Sequence, residues 1–197
     1  MSGLNPTAAG ALRLPRRGKT LFTALWNPVG DGGRPGGPQH PLGWPLSCRR
    51  RQRILVTTTP DLFDDSRPEA TLDLVHAVIA VAYRHCFLVV SAQVERIGAY
   101  YRDAATPQRI AEEIDALSLA SLAAGRKVPR DWIAGFSRVR YGLSRKHGRQ
   151  IGPIGLEPWP LPNLWLDVPI GGARRIVALA ELLDMPPASA ADRAAPA

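Results

Sequence analysis

Cysteine is almost missing from this chain: two occur in 197 residues, Cys48 and Cys86. That scarcity excludes a disulfide-framed secreted fold, and two thiols at this separation make no metal-binding spacing. Cys86 opens an apolar run and reads as a small buried hydrophobe. Cys48 adjoins basic residues that would lower a thiol pKa if it were exposed. Lysine is scarce too, since nearly all of the 25 basic residues are arginine. No apolar run reaches the roughly 18 residues of a membrane-spanning helix. No stretch after Arg13, Arg16, Arg17 and Lys19 has the apolar length of a secretory signal. The expectation is a cytoplasmic protein with no membrane partner, whose residues 1–20 form a disordered basic arm.

What is present suffices for one core. An apolar content of 45% is ordinary for a globular protein, and the length suits a single α/β domain over residues 21–185. The 18 glycines and 19 prolines concentrate in Pro28–Pro45, Gly148–Pro162 and an Ala/Pro-rich tail, and residues 186–197 are expected to be disordered. No internal repeat is visible.

Ile54-Leu55-Val56-Thr57-Thr58 is a continuous β-branched run of the kind found in buried parallel strands. Ser66-Arg67-Pro68-Glu69 has capping-box spacing with proline in the first turn, and Leu72, Val75, Val78, Ile79 and Ala82 follow at helical spacing. Cys86–Ser91 reads as a second buried strand, which completes a βαβ unit. A short helix is expected from Val94 to Tyr101. Another starts at Thr106-Pro107, with Ile110, Ile114, Leu117 and Leu122 on one face and Gly125 as its stop. Arg130–Gln150 is basic with weak helical character. Pro153–Pro162 reads as a linker into a third strand at Asn163–Val168, and Gly171-Gly172 as the opening of a helix carrying Ile176, Leu179, Leu182 and Leu183. The fold class is α/β, with three or four parallel strands and crossover helices. A complete (β/α)₈ barrel needs about 250 residues, so the sheet is a partial, barrel-like or small open one.

Charge supplies the first candidate surface. The net charge is +8, with local clusters at Arg49, Arg50, Arg51 and Arg53, and at Arg138, Arg140, Arg145 and Arg149 around Tyr141. Such arginines suit the phosphates of nucleic acid; scattered through an Arg-rich sequence, they equally suit a solvated basic face. Asp61, Asp64 and Asp65 lie just past a strand's C-terminal end, where α/β folds place their sites. They can serve a cation or acid/base chemistry, or cap and complement the next helix. Glu95 and Arg96 follow the second strand, as a site-facing pair or as surface charge. His85 begins a buried strand, His76 lies mid-helix and reads as structural, and His40 and His147 have no partner at ligand spacing. Trp26, Trp44, Trp132, Trp159 and Trp165 either stack on bases or pin loops to the core. Gly30–Gly37 is glycine-rich without a phosphate-loop motif. No metal site is expected.

Several phrases in order carry a resemblance: Trp26-Asn27-Pro28-Val29; Trp44 with Arg53-Ile54-Leu55-Val56; Asp61-Leu62-Phe63; His85 through Val90; Glu95-Arg96-Ile97; and Pro160-Leu161-Pro162-Asn163-Leu164-Trp165-Leu166. Over roughly residues 21–170 the chain resembles a phage-associated and bacterial three-cysteine family, domain of unknown function 5131, which is similar to radical-SAM enzymes. The resemblance implies a 4Fe–4S cluster and S-adenosylmethionine (SAM). The family's cysteines would begin near Gly32, and none stands there. Three thiolates hold three irons of such a cluster, so no cofactor is expected. The family's Thr-Lys-Arg at the end of its second strand is Ser91-Ala92-Gln93 here, which removes two cations. The expectation is a degenerate, non-catalytic member of that family. The alternative is a nucleic-acid-associated accessory protein using the arginine clusters, and a third reading has a partner protein complete the cluster.

Overall fold

The computed structural model of the protein describes residues 22–28, 42–58, 60–123, 125, 133, 135–143 and 150–184. The expected arm at 1–20, the Gly30–Gly37 stretch, His40, Trp132, Arg145, His147, Arg149 and the tail at 186–197 lie outside the described residues.

The β-branched runs pair as a sheet because each can be buried on both faces. Strands β1 (Ala24–Trp26), β2 (Arg53–Val56), β3 (Cys86–Val90) and β6 (Leu164–Ile170) are parallel neighbours in that order, and β7 (Ala173–Ala178) closes the edge antiparallel to β6. The α/β class and the four parallel strands agree with the sequence, and the order 1-2-3-6 is that of a chain winding one way, as in a barrel segment. Helix α1 (Trp44–Ser47) follows β1, and α2 (Glu69–Val81) connects β2 to β3. Helices α3 (Val94–Arg102) and α4 (Thr106–Ala123) follow β3, and α5 (Leu179–Asp184) follows β7.

Alternation along the strands divides the side chains between two faces. Trp26, Ile54, Val56, Phe87, Val89, Leu164, Leu166 and Val168 join the core with the apolar residues of α2. Nine residues of α2 are buried, including the whole run from Val75 to Val81, which is the pattern of a helix enclosed on more than one side. Helix α4 packs along it. On the opposite face, the registers align Leu25, Leu55, Leu88, Trp165 and Ala178 in one row across all five strands. Leu88 is buried there, whereas Leu25 on the β1 edge is 68% exposed.

Four expectations need correction. The segment after Gly171-Gly172 is a strand, not a helix, until Leu179. Both glycines have positive φ (57° and 76°), so they make the two-residue turn whose twist suits a hairpin, and Ile176 and Val177 lie in β7. Arg130–Gln150 contains a strand, β4 (Val139–Leu143), and the expected Pro153–Pro162 linker begins inside β5 (Gln150–Leu156), its antiparallel partner. Pro153 is tolerated because a two-stranded ribbon has only edges. The Ser66–Glu69 capping box does not form: Pro68 is the N-cap without a side-chain bond, because Ser66 directs its N–H and hydroxyl to Asp64 at 2.9 and 2.5 Å. Cys48 is part-buried rather than exposed, and burial raises its thiol pKa against the nearby Arg84.

Candidate functional site

The C-terminal ends of β2 and β3 meet at the loop 60–68. Asp61 Oδ1 accepts the Phe63 N–H and Oδ2 accepts the Ala92 N–H, both at 2.9 Å, so one carboxylate ties the end of β2 to the end of β3. Arg67 is buried and donates back to the Asp61 and Pro60 carbonyls at 3.3 and 2.8 Å. Arg96, from the first turn of α3, reaches the same loop. It donates to the carbonyls of Phe63 (3.2 Å), Asp64 and Arg67 (2.5 Å), with the Asp65 carboxylate 3.8 Å away. Two guanidinium groups thus satisfy loop carbonyls that neither helix nor sheet can reach. The hydrogen bond from the Ser66 hydroxyl holds the Asp64 pKa below the usual range.

Phe63 anchors the loop by packing among His76, Tyr100 and Tyr101 at ring-centroid distances of 6.0, 6.0 and 6.1 Å. His76 is buried, with Nδ1 2.7 Å from the Leu72 carbonyl and Nε2 bonded to the Tyr101 hydroxyl. Burial pushes its pKa down to about 4, against the opposing effects of the Leu72 carbonyl and Asp73. The ring is therefore neutral near pH 7, as a structural histidine should be. Beside it the buried Asp73 accepts the Tyr100 hydroxyl at 2.7 Å and Arg109 Nε at 3.0 Å, and Arg109 also donates to Asp103 (2.7 Å) and Thr106 (2.8 Å). Sequence reasoning missed this Asp73–Arg109 network and missed Arg67, since their partners are 36 and 7 residues away and share no local pattern.

The structure therefore brings Asp61 and Arg96 together on one loop. Glu95 is exposed in the first turn of α3. Asp167, midway along β6, pairs with Arg174 across the hairpin at 3.1 Å.

The arginine clusters lie elsewhere. Arg49, Arg50 and Arg51 precede β2, at the opposite end of the parallel strands from Asp61; all three are exposed, and no carboxylate among the described residues pairs with them. In the second cluster the two described arginines, Arg138 and Arg140, both have partners. Arg138 is half-buried with its guanidinium 4.7 Å from the Tyr83 ring centroid, and Arg140 pairs with Glu157 at 3.5 Å. Of the tryptophans proposed for stacking, Trp26, Trp44 and Trp159 pack on the core. Trp165 stands in the opposite row with its indole N–H enclosed and without an acceptor among the described residues.

The implied cluster does not fit these residues. Cys48 and Cys86 are both at the N-terminal end of the sheet, away from the Asp61 loop. Among the described residues no group of three His, Cys, Asp or Glu side chains is placed to hold a metal ion. No described helix is long and apolar enough to cross a membrane.

A singly wound, mostly parallel sheet with a cross-braced loop at its strand ends defines the chain as an α/β protein. More particularly, it belongs to the DUF5131 family of proteins of unknown function, whose model matches residues 31–191. No curated protein and no solved structure matches it. The matched span takes in the Asp61, His85–Val90 and Pro160–Leu166 phrases and begins after Trp26–Val29.

Proposed function

We propose that this chain is a non-catalytic, radical-SAM-like member of its family, phage-associated and cytoplasmic, which works by binding rather than by chemistry. The observation that carries this reading is the use made of Asp61. Both of its oxygens accept backbone N–H groups from two different strand ends. Each oxygen of this carboxylate already holds a backbone donor, and Arg96, which reaches the same loop, is directed at loop carbonyls. The strand-end loop is thus read as a brace.

The test is thermal unfolding with and without SAM at about 100 times a typical cofactor Kd. A ligand that binds only the native state stabilises it by about 2.7 kcal/mol at that excess, a rise of roughly 5–10 °C for a chain of this size. A cooperative melt indifferent to SAM is expected; a rise of that order overturns the reading.

A second reading is favoured by one specific observation. Arg49, Arg50 and Arg51 are consecutive, exposed and without a carboxylate partner among the described residues, which supports a nucleic-acid-associated accessory role for the same non-catalytic protein.

A further inference from the structure

The segment that carries Arg49, Arg50 and Arg51 is held at both ends by one side chain. His85, buried at the start of β3, has Nε2 2.9 Å from the Pro45 carbonyl, and its Nδ1 accepts the Gln52 N–H at 3.1 Å. The Gln52 bond fixes the tautomer, because only an unprotonated Nδ1 can accept and Nε2 must then be the donor. Between these anchor points Arg84 donates to the Cys48 carbonyl. The Ser47 hydroxyl and Cys48 N–H turn back to Trp44 and Pro45 at 2.8 and 3.3 Å, and the Cys86 N–H bonds the Gln52 carbonyl at 3.0 Å. Residues 45–52 thus form a loop tied down at Pro45, Cys48 and Gln52, and its three arginines are exposed.

We propose that this loop is a preformed seat for the phosphate backbone of nucleic acid, with His85 and Arg84 as its positioning residues. The proposal rests on the nucleic-acid reading above and adds the device that presents the charges. Holding a loop in its binding conformation removes the ordering cost that a mobile arginine segment would meet on contact. The charge is complementary: three guanidinium groups with no carboxylate partner among the described residues, on a chain of net charge +8. Arg49 and Arg51 stand at most about 7 Å apart along the chain, the axial span of two phosphate steps on one strand. A membrane surface fits less well. Interfacial binding needs apolar side chains to insert, and none of the exposed large hydrophobic residues lies between Leu42 and Arg53. With no groove-sized helix or exposed aromatic in the loop, the contact is to phosphates alone and carries no sequence preference.

The experiment is fluorescence anisotropy of the full chain with two labelled duplex DNAs of unrelated sequence, from about 50 to 200 mM salt, beside an arm with anionic phosphatidylserine vesicles. Three phosphate contacts correspond to a slope of about −2.7 in log affinity against log salt, or roughly 40-fold over that range. Replacing Arg49, Arg50 and Arg51 together by Ala is expected to make the wild-type slope shallower by that amount on both duplexes. Arg84→Met and His85→Ala are expected to weaken binding about fivefold or more while leaving the slope unchanged, because the charges remain and only their placement is lost. Arg84 lies in the turn between α2 and β3, outside the core, so Arg84→Met decides the matter if His85→Ala does not fold. A wild-type chain whose DNA binding ignores salt, or is matched by the triple variant, overturns the nucleic-acid reading. So does a preference for the vesicles. Retained binding in Arg84→Met, or a slope shallower by about one, overturns the positioning role while leaving that reading in place.

Discussion

Replacing Asp61 by alanine removes two charge-assisted hydrogen bonds at once, those from the Phe63 and Ala92 N–H groups. Hydrogen bonds to charged groups contribute about 1.5–3 kcal/mol each, so the pair is worth about 3–6 kcal/mol before solvent is considered. Asp61 is half-buried and Ala92 exposed, so water can take over the Ala92 donor in the variant, which halves the loss to about 2–3 kcal/mol. For a chain of this length that is a fall in Tm of roughly 5–10 °C. Asp61→Asn keeps one acceptor oxygen and turns an NH₂ toward the other donor, so about half of the loss is expected. The assay is urea unfolding, with the free energy compared at constant m. A carboxylate kept for chemistry is commonly a stability liability, and removing it leaves stability unchanged or raises it. Asp61→Ala within about 0.5 kcal/mol of wild type, the scatter of ordinary surface substitutions, would therefore refute the reading of this residue as a brace.

Gly135→Ala places a Cβ 2.6 Å from both the Val81 Cα and its carbonyl oxygen; backbone cannot step aside, so a loss of about 1–3 kcal/mol is expected by chemical denaturation. His76 binds its proton less readily folded (about 4) than unfolded (6.5). The unfolded state therefore holds more protons between those values, and stability falls as pH drops through the window, by about 3 kcal/mol in all. Urea titrations at pH 7 and 4.5 check this, and His76→Gln should flatten the dependence. Alanine at both Gly171 and Gly172 forces two side chains into positive φ (57° and 76°) and should cost about 2 kcal/mol, read as an earlier urea midpoint; an unchanged midpoint would remove the hairpin turn from the account.

The βαβ core was legible because its signals are local. Ile54–Val56 and Phe87–Val89 are apolar runs bounded by turn residues, and α2 between them has helical spacing. Strand β7 was hidden by its neighbour: Ile176, Leu179, Leu182 and Leu183 also fit a helical face, and the last three do lie in α5. The glycine pair before them was the stronger signal, since two φ-permissive residues between apolar segments favour a hairpin. Strands β4 and β5 gave no alternation to read, because the ribbon's register shifts at two places and Pro153 sits inside it. At the site, the position of Asp61 followed from the strand end, but its use did not, because Ala92 is 31 residues away. The Arg138 cluster looked alike in sequence to the Arg49 cluster. Only the fold shows that Tyr83 takes one guanidinium and Glu157 another.

The pairing of β3 with β6 has a consequence during synthesis. Phe87 pairs with Leu164, 77 positions later, whereas β2 finds β3 about 33 residues away and β7 returns across two glycines. At about 5–20 residues per second, the β3 edge emerges from the ribosome roughly 4–15 s before its partner exists. Through that interval a nascent chain already able to form the βαβ unit exposes the unpaired backbone of its most apolar strand. The step that ends the exposure is loop closure over the helices and ribbon between them, and folding yield should therefore be sensitive to how quickly that intervening segment is made.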